Sequence, residues 1–169
     1  MLHNQKIIFI SIVDNNSKMV PNLGTRIWHH EVLIRDILER KPVLMGRKTF
    51  ELSRWKGNNT WVITKNKKFS RSGIGVIHDL DDIHLHTEGP LFVLGGSSLF
   101  RALEEYVDEI HMYVLNNTDG KEKWINMDMH DWLPKNFKNE NIWSYAHLSR
   151  KKTITNNYNI ANEKKIRNG

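Results

Sequence analysis

Lys41-Pro-Val-Leu-Met-Gly-Arg-Lys-Thr-Phe-Glu51 decides how the rest of the chain is read. Val43-Leu44-Met45 is a short apolar run, which predicts a buried strand. Gly46 then allows a tight turn or a close approach of backbone to a ligand. Thr49 to Leu52 has the pattern of the first turns of a helix. A strand that feeds a helix N-terminus through a glycine makes an anion site, and Arg47 and Lys48 add positive charge there. The plainer reading is a basic βα turn facing solvent.

A second stretch has the same grammar. Leu91-Phe92-Val93-Leu94 predicts another buried strand, Gly95-Gly96-Ser97-Ser98 follows it, and Leu99 to Leu103 is helical in pattern. Paired glycines leave room for a ligand over the strand end, and Ser97 and Ser98 are expected to cap the helix. Two such junctions in one α/β chain point to an extended, multiply charged ligand held across neighbouring strand ends.

Composition sets the outer limits. The chain has 169 residues, which suits a single domain with a real core. Its formal charge is +6, which suits an anionic ligand and also permits nucleic acid. No aromatic–basic recognition motif accompanies that charge. Without cysteine there are no disulfides and no thiolate metal sites, and a reducing cytoplasm is allowed. The nine histidines form no His-x-x-x-His or His-Glu-x-x-His pattern, so no metal is expected. No run is long enough to span a membrane, and the start at Met1 leads directly into a strand, unlike a signal peptide.

Ile7 to Val13 is almost continuously apolar and predicts a central strand covered on both faces. Asp14 to Lys18 is a turn by composition. Met19 to Ile27, with Pro21, Asn22 and Gly24, reads as a functional loop that ends at Trp28. Residues 29–40 predict a helix with Leu33, Ile34, Ile37 and Leu38 inward. His30 and Glu31 lie four and three residues before Ile34. Glu31 is either a carboxylate at a buried helix edge, able to act as an acid, or a solvated first-turn glutamate. Further strands are expected at 60–64, 75–78 and 107–115. A short helix at 79–87 turns Leu80, Ile83 and Leu85 inward. Residues 142–148 and 158–160 are expected to pair as antiparallel edge strands through a hairpin turn at 153–157. Lys65, Lys67, Lys68 and Arg71 meet a phosphate or form a solvated face. Residues 163–169 read as a basic tail beyond a domain at 1–162.

Taken together, residues 6–162 resemble dihydrofolate reductase. The words that carry the resemblance are Lys41-Pro-Val-Leu-Met-Gly-Arg-Lys-Thr-Phe-Glu51 and Phe92-Val-Leu-Gly-Gly-Ser-Ser-Leu-Phe100. The resemblance implies an α/β domain with a predominantly parallel sheet of about eight strands, an antiparallel C-terminal strand and helices on both faces. It implies NADPH as cofactor and dihydrofolate or a related pterin as substrate. It also implies no nucleic-acid or membrane partner, a monomer or homodimer, and a cytoplasmic location.

Residue by residue, Gly46, Arg47, Lys48 and Thr49 resemble the pyrophosphate and 2′-phosphate segment, and Thr64 with Lys65 the adenosine-phosphate strand end. Gly95, Gly96, Ser97, Ser98, Leu99 and Phe100 match the second cofactor loop, with Phe100 where many members carry tyrosine. Ser11 and Ile12 resemble the residues beside the nicotinamide, and Met19 opens the loop over the active site. On the substrate side the resemblance implies Ile10, Trp28, Ile34, Leu94 and Tyr113. Tyr113 falls near the strand threonine that supports the family acid. Glu31 takes the acid's role with a one-residue shift, and His30 is the alternative. The family arginine that holds the folate tail matches Asn58, which leaves Arg54 and Lys56 as substitutes.

Two other readings stay open. One is an NADPH-dependent reductase of the same fold, acting on another pterin or a riboflavin-pathway pyrimidine. The other is a non-enzymatic cofactor-binding or structural protein.

Overall fold

The computed structural model describes residues 4–20, 32–53, 57, 59–116, 120–125, 127–140 and 143–151. Strand β1 (Ile7–Val13) is buried at all seven positions, as a strand covered on both faces must be. Parallel neighbours flank it: β6 (Leu91–Val93) on one side and β7 (Val107–Leu115) on the other. Beyond β6 lie β3 (Val43–Gly46), β4 (Thr60–Ile63) and β5 (Gly75–Ile77), all parallel. Beyond β7 lies β10 (Trp143–Arg150), antiparallel to β7, and then the edge strand β9 (Trp132–Asn139). The eight run in the order β5-β4-β3-β6-β1-β7-β10-β9. Two short strands, β2 (Lys18–Met19) and β8 (Glu122–Lys123), pair with each other, and β2 pairs with the end of β1.

Helices cover both faces. Helix α1 (Val32–Arg40) buries Ile34 and Ile37, three residues apart, against Ile8, Ile10 and Ile12 of β1. Asp36 and Arg40 pair at 2.9 Å on its exposed side. The helix stops where Lys41 precedes Pro42, a position that disfavours the α conformation. Helix α2 (Arg47–Ser53) adds Phe50 to the same core. On the opposite face, α3 (Ser97–Leu103) buries Leu99, Phe100 and Leu103, with Ile83 of the 3₁₀ turn Leu80–Leu85. Each fully buried aliphatic side chain of these layers stabilises by about 1.5–3 kcal/mol.

Several local expectations need correction. The antiparallel partner of β10 is β9, not residues 158–160. Both edges of β10 are taken by β7 and β9, and residues 152–169 lie outside the described residues. Strand β9 escaped reading because Trp132 is its one buried residue and no apolar alternation marks it. Pro134, Lys135 and Lys138 suit an edge, where they discourage pairing with a further strand. Leu85 is exposed rather than inward, because the turn is 3₁₀ and its side chains fall at a different angle from those of an α-helix. The N-cap of α3 is Gly96 with no side-chain cap, so Ser97 and Ser98 lie in the first turn instead of capping it. No helix among the described residues is long and apolar enough to cross a membrane.

Candidate functional site

A cleft of about 760 Å³ opens at the carboxyl ends of β1, β3, β4 and β6. This is where an open parallel sheet presents ligands, outside the strand ends and near the point where the strand order reverses. The order reverses at β1, since the chain builds outward on one side through β3 to β5 before β7 is laid on the other.

The two glycine junctions meet there. Gly46 N–H donates to the Gly95 carbonyl at 2.7 Å, and Leu94 N–H donates to the Leu44 carbonyl at 3.0 Å, which ties the ends of β3 and β6 together. Gly95 has φ +111°, and an added Cβ would lie 3.2 Å from the Phe100 ring. A Cβ on Gly96 would lie 3.2 Å from Thr49 Oγ1. The Gly95–Gly96 peptide bond is cis. With its φ of +111°, Gly95 holds a backbone conformation that side chains strain, so Gly95→Ala is expected to cost about 1–3 kcal/mol and to displace the floor of the cleft. Paired thermal melts and cofactor titrations check this; an unchanged Tm with unchanged cofactor affinity would refute it.

Five cations line the cleft: Arg47, Lys48, Lys65, Arg101 and Lys121. No carboxylate joins them among the described lining residues. Arg47 pairs with Glu51 at 3.2 Å, but both side chains are more than a third exposed, so the pair is weak. Thr64 ends β4 with its hydroxyl accepting from Asn66 N–H at 3.1 Å, and its carbonyl accepts from His78 Nδ1 at 2.6 Å. A carbonyl only accepts, so Nδ1 carries the proton. The Ser11 hydroxyl is buried and has no partner among the described residues, although Ser11 lines the cleft. Buried hydroxyls are normally satisfied, so an orphan at a cleft wall fits a bound polar group.

One rim of the cleft is set by Asp14. Its carboxylate accepts from the backbone of Asn16 at 2.8 Å, Lys18 at 3.0 Å and Gly120 at 3.0 Å. Burial acts to raise its pKa, but the Lys18, Asn16 and Gly120 amides and the Lys18 charge outweigh it and hold the carboxyl below its ordinary value. The contact joins the β1–β2 turn to the segment before β8. Lys121 N–H then donates to the Met19 carbonyl at 3.0 Å, and both residues reach the cleft.

Most residues singled out from sequence come together. Ile10, Ser11, Ile12, Met19, Gly46, Arg47, Lys48 and Thr49 line the cleft, as do Thr64, Lys65, Leu94, Gly96, Ser97, Ser98 and Leu99. Four do not. Phe100 is fully buried and supports Gly95 from beneath, because α3 turns it into the core. Gly95 is buried within the floor. Ile34 and Tyr113 are buried in the core on the α1 face, where Tyr113 packs on Trp143 and Tyr145 with ring centroids 5.4 and 5.0 Å apart. Trp28, His30, Glu31, Arg54 and Lys56 lie outside the described residues. Of the basic run after β4, Lys65 reaches the cleft, whereas Lys67, Lys68 and Arg71 are exposed. Sequence reading missed His78, Arg101 and Lys121. The first had only a strand-end position to mark it, Arg101 lies one turn into α3, and Lys121 depends on its contact with Met19, far along the chain.

Comparison with known proteins agrees with this geometry. Residues 10–156 match the family model described as dihydrofolate reductase. The dihydrofolate reductases of Staphylococcus aureus strains Mu50 and N315 are each 33% identical over 75 residues, covering 43% of this chain and 46% of the relative. The aligned part thus spans about half the length of these relatives. A solved structure, described as dihydrofolate reductase from Enterococcus faecalis complexed with NADP(H) and RAB-propyl, superposes with a TM-score of 0.71. It is 18% identical, and the match covers 87% of this chain and 97% of that one.

Proposed function

The chain belongs to the dihydrofolate reductase family, and on that premise we propose that it reduces 7,8-dihydrofolate to 5,6,7,8-tetrahydrofolate with NADPH. The observation that carries the reading is the cleft, with five cations and two glycine junctions at the strand ends and no carboxylate among its described lining residues. A dinucleotide with a 2′-phosphate is long, thin and strongly anionic, and this lining matches it.

The chemistry drawn from bound NADPH is hydride donation to the carbon of a substrate C=N bond. Arg47, Lys48 and Lys65 neutralise phosphate charge, and Thr49 and Thr64 offer hydroxyls beside them. Gly46 and Gly96 would offer bare backbone to the ligand, and Gly95 lies beneath them in the floor. Ser11 and Ile12 would flank the reacting ring, and the buried Ser11 hydroxyl would meet a polar group there. On the pterin side Ile10 and Leu94 supply apolar side chains from the cleft wall. Glu31 holds the ring amide and amino groups with its two acceptor oxygens and favours the protonated ring, solvent being the final proton donor. The same reading takes the protein as a cytoplasmic monomer or homodimer, with a small-molecule pterin and no nucleic acid or membrane as partner.

The test is dihydrofolate-dependent loss of NADPH absorbance together with detection of tetrahydrofolate. Turnover of dihydrofolate is the expected result. Binding of NADPH without turnover of authentic dihydrofolate would overturn it.

One observation favours a second reading, reduction of another pterin or of a riboflavin-pathway pyrimidine: Asn58 stands where the family places the arginine that anchors the folate tail. The glutamate tail is then expected to add little, so a pterin without it should approach the affinity of the whole folate. Arg54→Ala and Lys56→Ala probe the remaining cations of that loop. If neither change weakens folate, and folate still far outbinds the bare pterin, this expectation is wrong.

A further inference from the structure

We propose that Glu109, His111 and His147 form a binding site for a divalent transition-metal ion of the zinc class, bridging β7 and β10. Glu109 and His111 are two residues apart on β7 and share one face of the sheet. His147 stands directly opposite His111 on antiparallel β10. One ligand atom from each of the three lies within 4.8 Å of the others. None of them lines the cleft, so the site is separate from the dinucleotide region.

The donor set is two imidazoles and one carboxylate, which suits zinc and its neighbours among first-row divalent ions. His147 Nε2 and Glu109 Oε2 are 3.1 Å apart. A tetrahedral zinc ion between a nitrogen and an oxygen holds them roughly 3.4 Å apart, from its bond lengths. The ion thus takes the place of the shared proton with little opening of the pair, and His147 carries its proton on Nδ1. His111 must close by no more than about 1.4 Å to complete the set, a side-chain adjustment.

His111 is already oriented for this. Its Nδ1 lies 2.5 Å from the Tyr145 hydroxyl. In the tautomer in which Nδ1 donates to the Tyr145 oxygen, Nε2 keeps its lone pair for a ligand, as with the partners behind metal-bound histidines. The His111 and His147 rings now stack with centroids 4.3 Å apart, so rotation about the Cβ–Cγ bond accompanies binding.

A competing cation is present. The Lys6 ammonium pairs with the second Glu109 oxygen, and its side chain is 46% exposed. It can swing into solvent when a dication neutralises the carboxylate. Local sequence motifs did not reveal the site because its third ligand comes from another strand, 38 residues along the chain.

Chelator-treated protein is titrated at neutral pH with Zn²⁺, and separately with Co²⁺ as a visible-absorption probe. The original chain is compared with Glu109→Gln, His147→Gln and Lys6→Gln, each checked for folding by circular dichroism and melting without metal. One equivalent of Zn²⁺ is expected to bind with a Kd no weaker than about 10 μM. Glu109→Gln and His147→Gln should each weaken it at least tenfold, whereas Lys6→Gln should bind as well or better. Tyr145→Phe should weaken it about tenfold, in the range seen when a partner behind a ligand is removed. Should one ligand variant fail to fold, the other and Tyr145→Phe decide. Absence of saturable binding, or equal affinity in the original chain and the folded variants, would overturn the proposal and assign any Zn²⁺ to scattered histidines.

Discussion

Glu31→Gln is expected to slow dihydrofolate turnover about a hundredfold or more at saturating NADPH, while His30→Gln leaves it nearly unchanged. The reasoning is chemical. The carbon of a C=N bond accepts hydride only as its nitrogen gains a proton. The chain has no cysteine to serve as acid. A carboxylate presents two acceptors to the amide and amino edge of a pterin, which an imidazole cannot do. Glutamine keeps the shape while removing the charge and one of the two acceptors. Glu31 directly precedes α1, and α1 is pinned over Ile8, Ile10 and Ile12 by Ile34 and Ile37. Steady-state rates of the two variants across pH check the assignment. Full activity of the Glu31→Gln protein would reject it, and a loss confined to His30→Gln would transfer the role and imply a different ring.

The second large effect concerns cofactor choice. Arg47→Ala and Lys65→Ala are each expected to raise the NADPH Kd by about 10- to 100-fold, with little change for NADH. A hydrogen bond between ionised partners contributes about 1.5–3 kcal/mol, and the 2′-phosphate is the group that NADH lacks. Arg47 gives up only an exposed pair with Glu51 to make that contact, so the exchange costs little. If the two residues meet one phosphate as proposed, the double variant should fall short of the sum of the single effects. Fluorescence titration of all four proteins with both dinucleotides reads this directly. Parallel losses for NADPH and NADH would mean that the two residues shape the cleft rather than read the phosphate.

How much was legible in sequence varied with the range of the interaction. Ile7–Val13 declared itself a central strand because every position along it is apolar, and a strand buried on both faces needs no alternation. The words around Gly46 and Gly95–Gly96 declared a site for an extended, charged ligand because strand, glycine and helix start lie within a few residues of one another. The cationic character of that cleft was legible at Arg47, Lys48 and Lys65 for the same reason.

Tertiary structure alone decided the rest. The partner of β10 is set by hydrogen bonding along a polar edge strand, whose side chains carry no periodic signal. Asp14 looks like an ordinary turn residue until Gly120, 106 residues away, brings its amide to the carboxylate and with it the Met19–Lys121 rim. Phe100 sits in a word that reads as cofactor-binding, yet the direction in which α3 leaves Gly96 turns its ring beneath the floor. Glu109 and His111 look like scattered polar residues on β7. Their meeting with His147 depends on antiparallel register, which pattern alone does not specify where one face is polar. Local composition therefore determined the apolar strands at the centre of the sheet and the anionic ligand class that their ends admit. Pairing between distant strands determined which side chains meet, since the free energy of those contacts comes from neighbours that the linear order keeps apart.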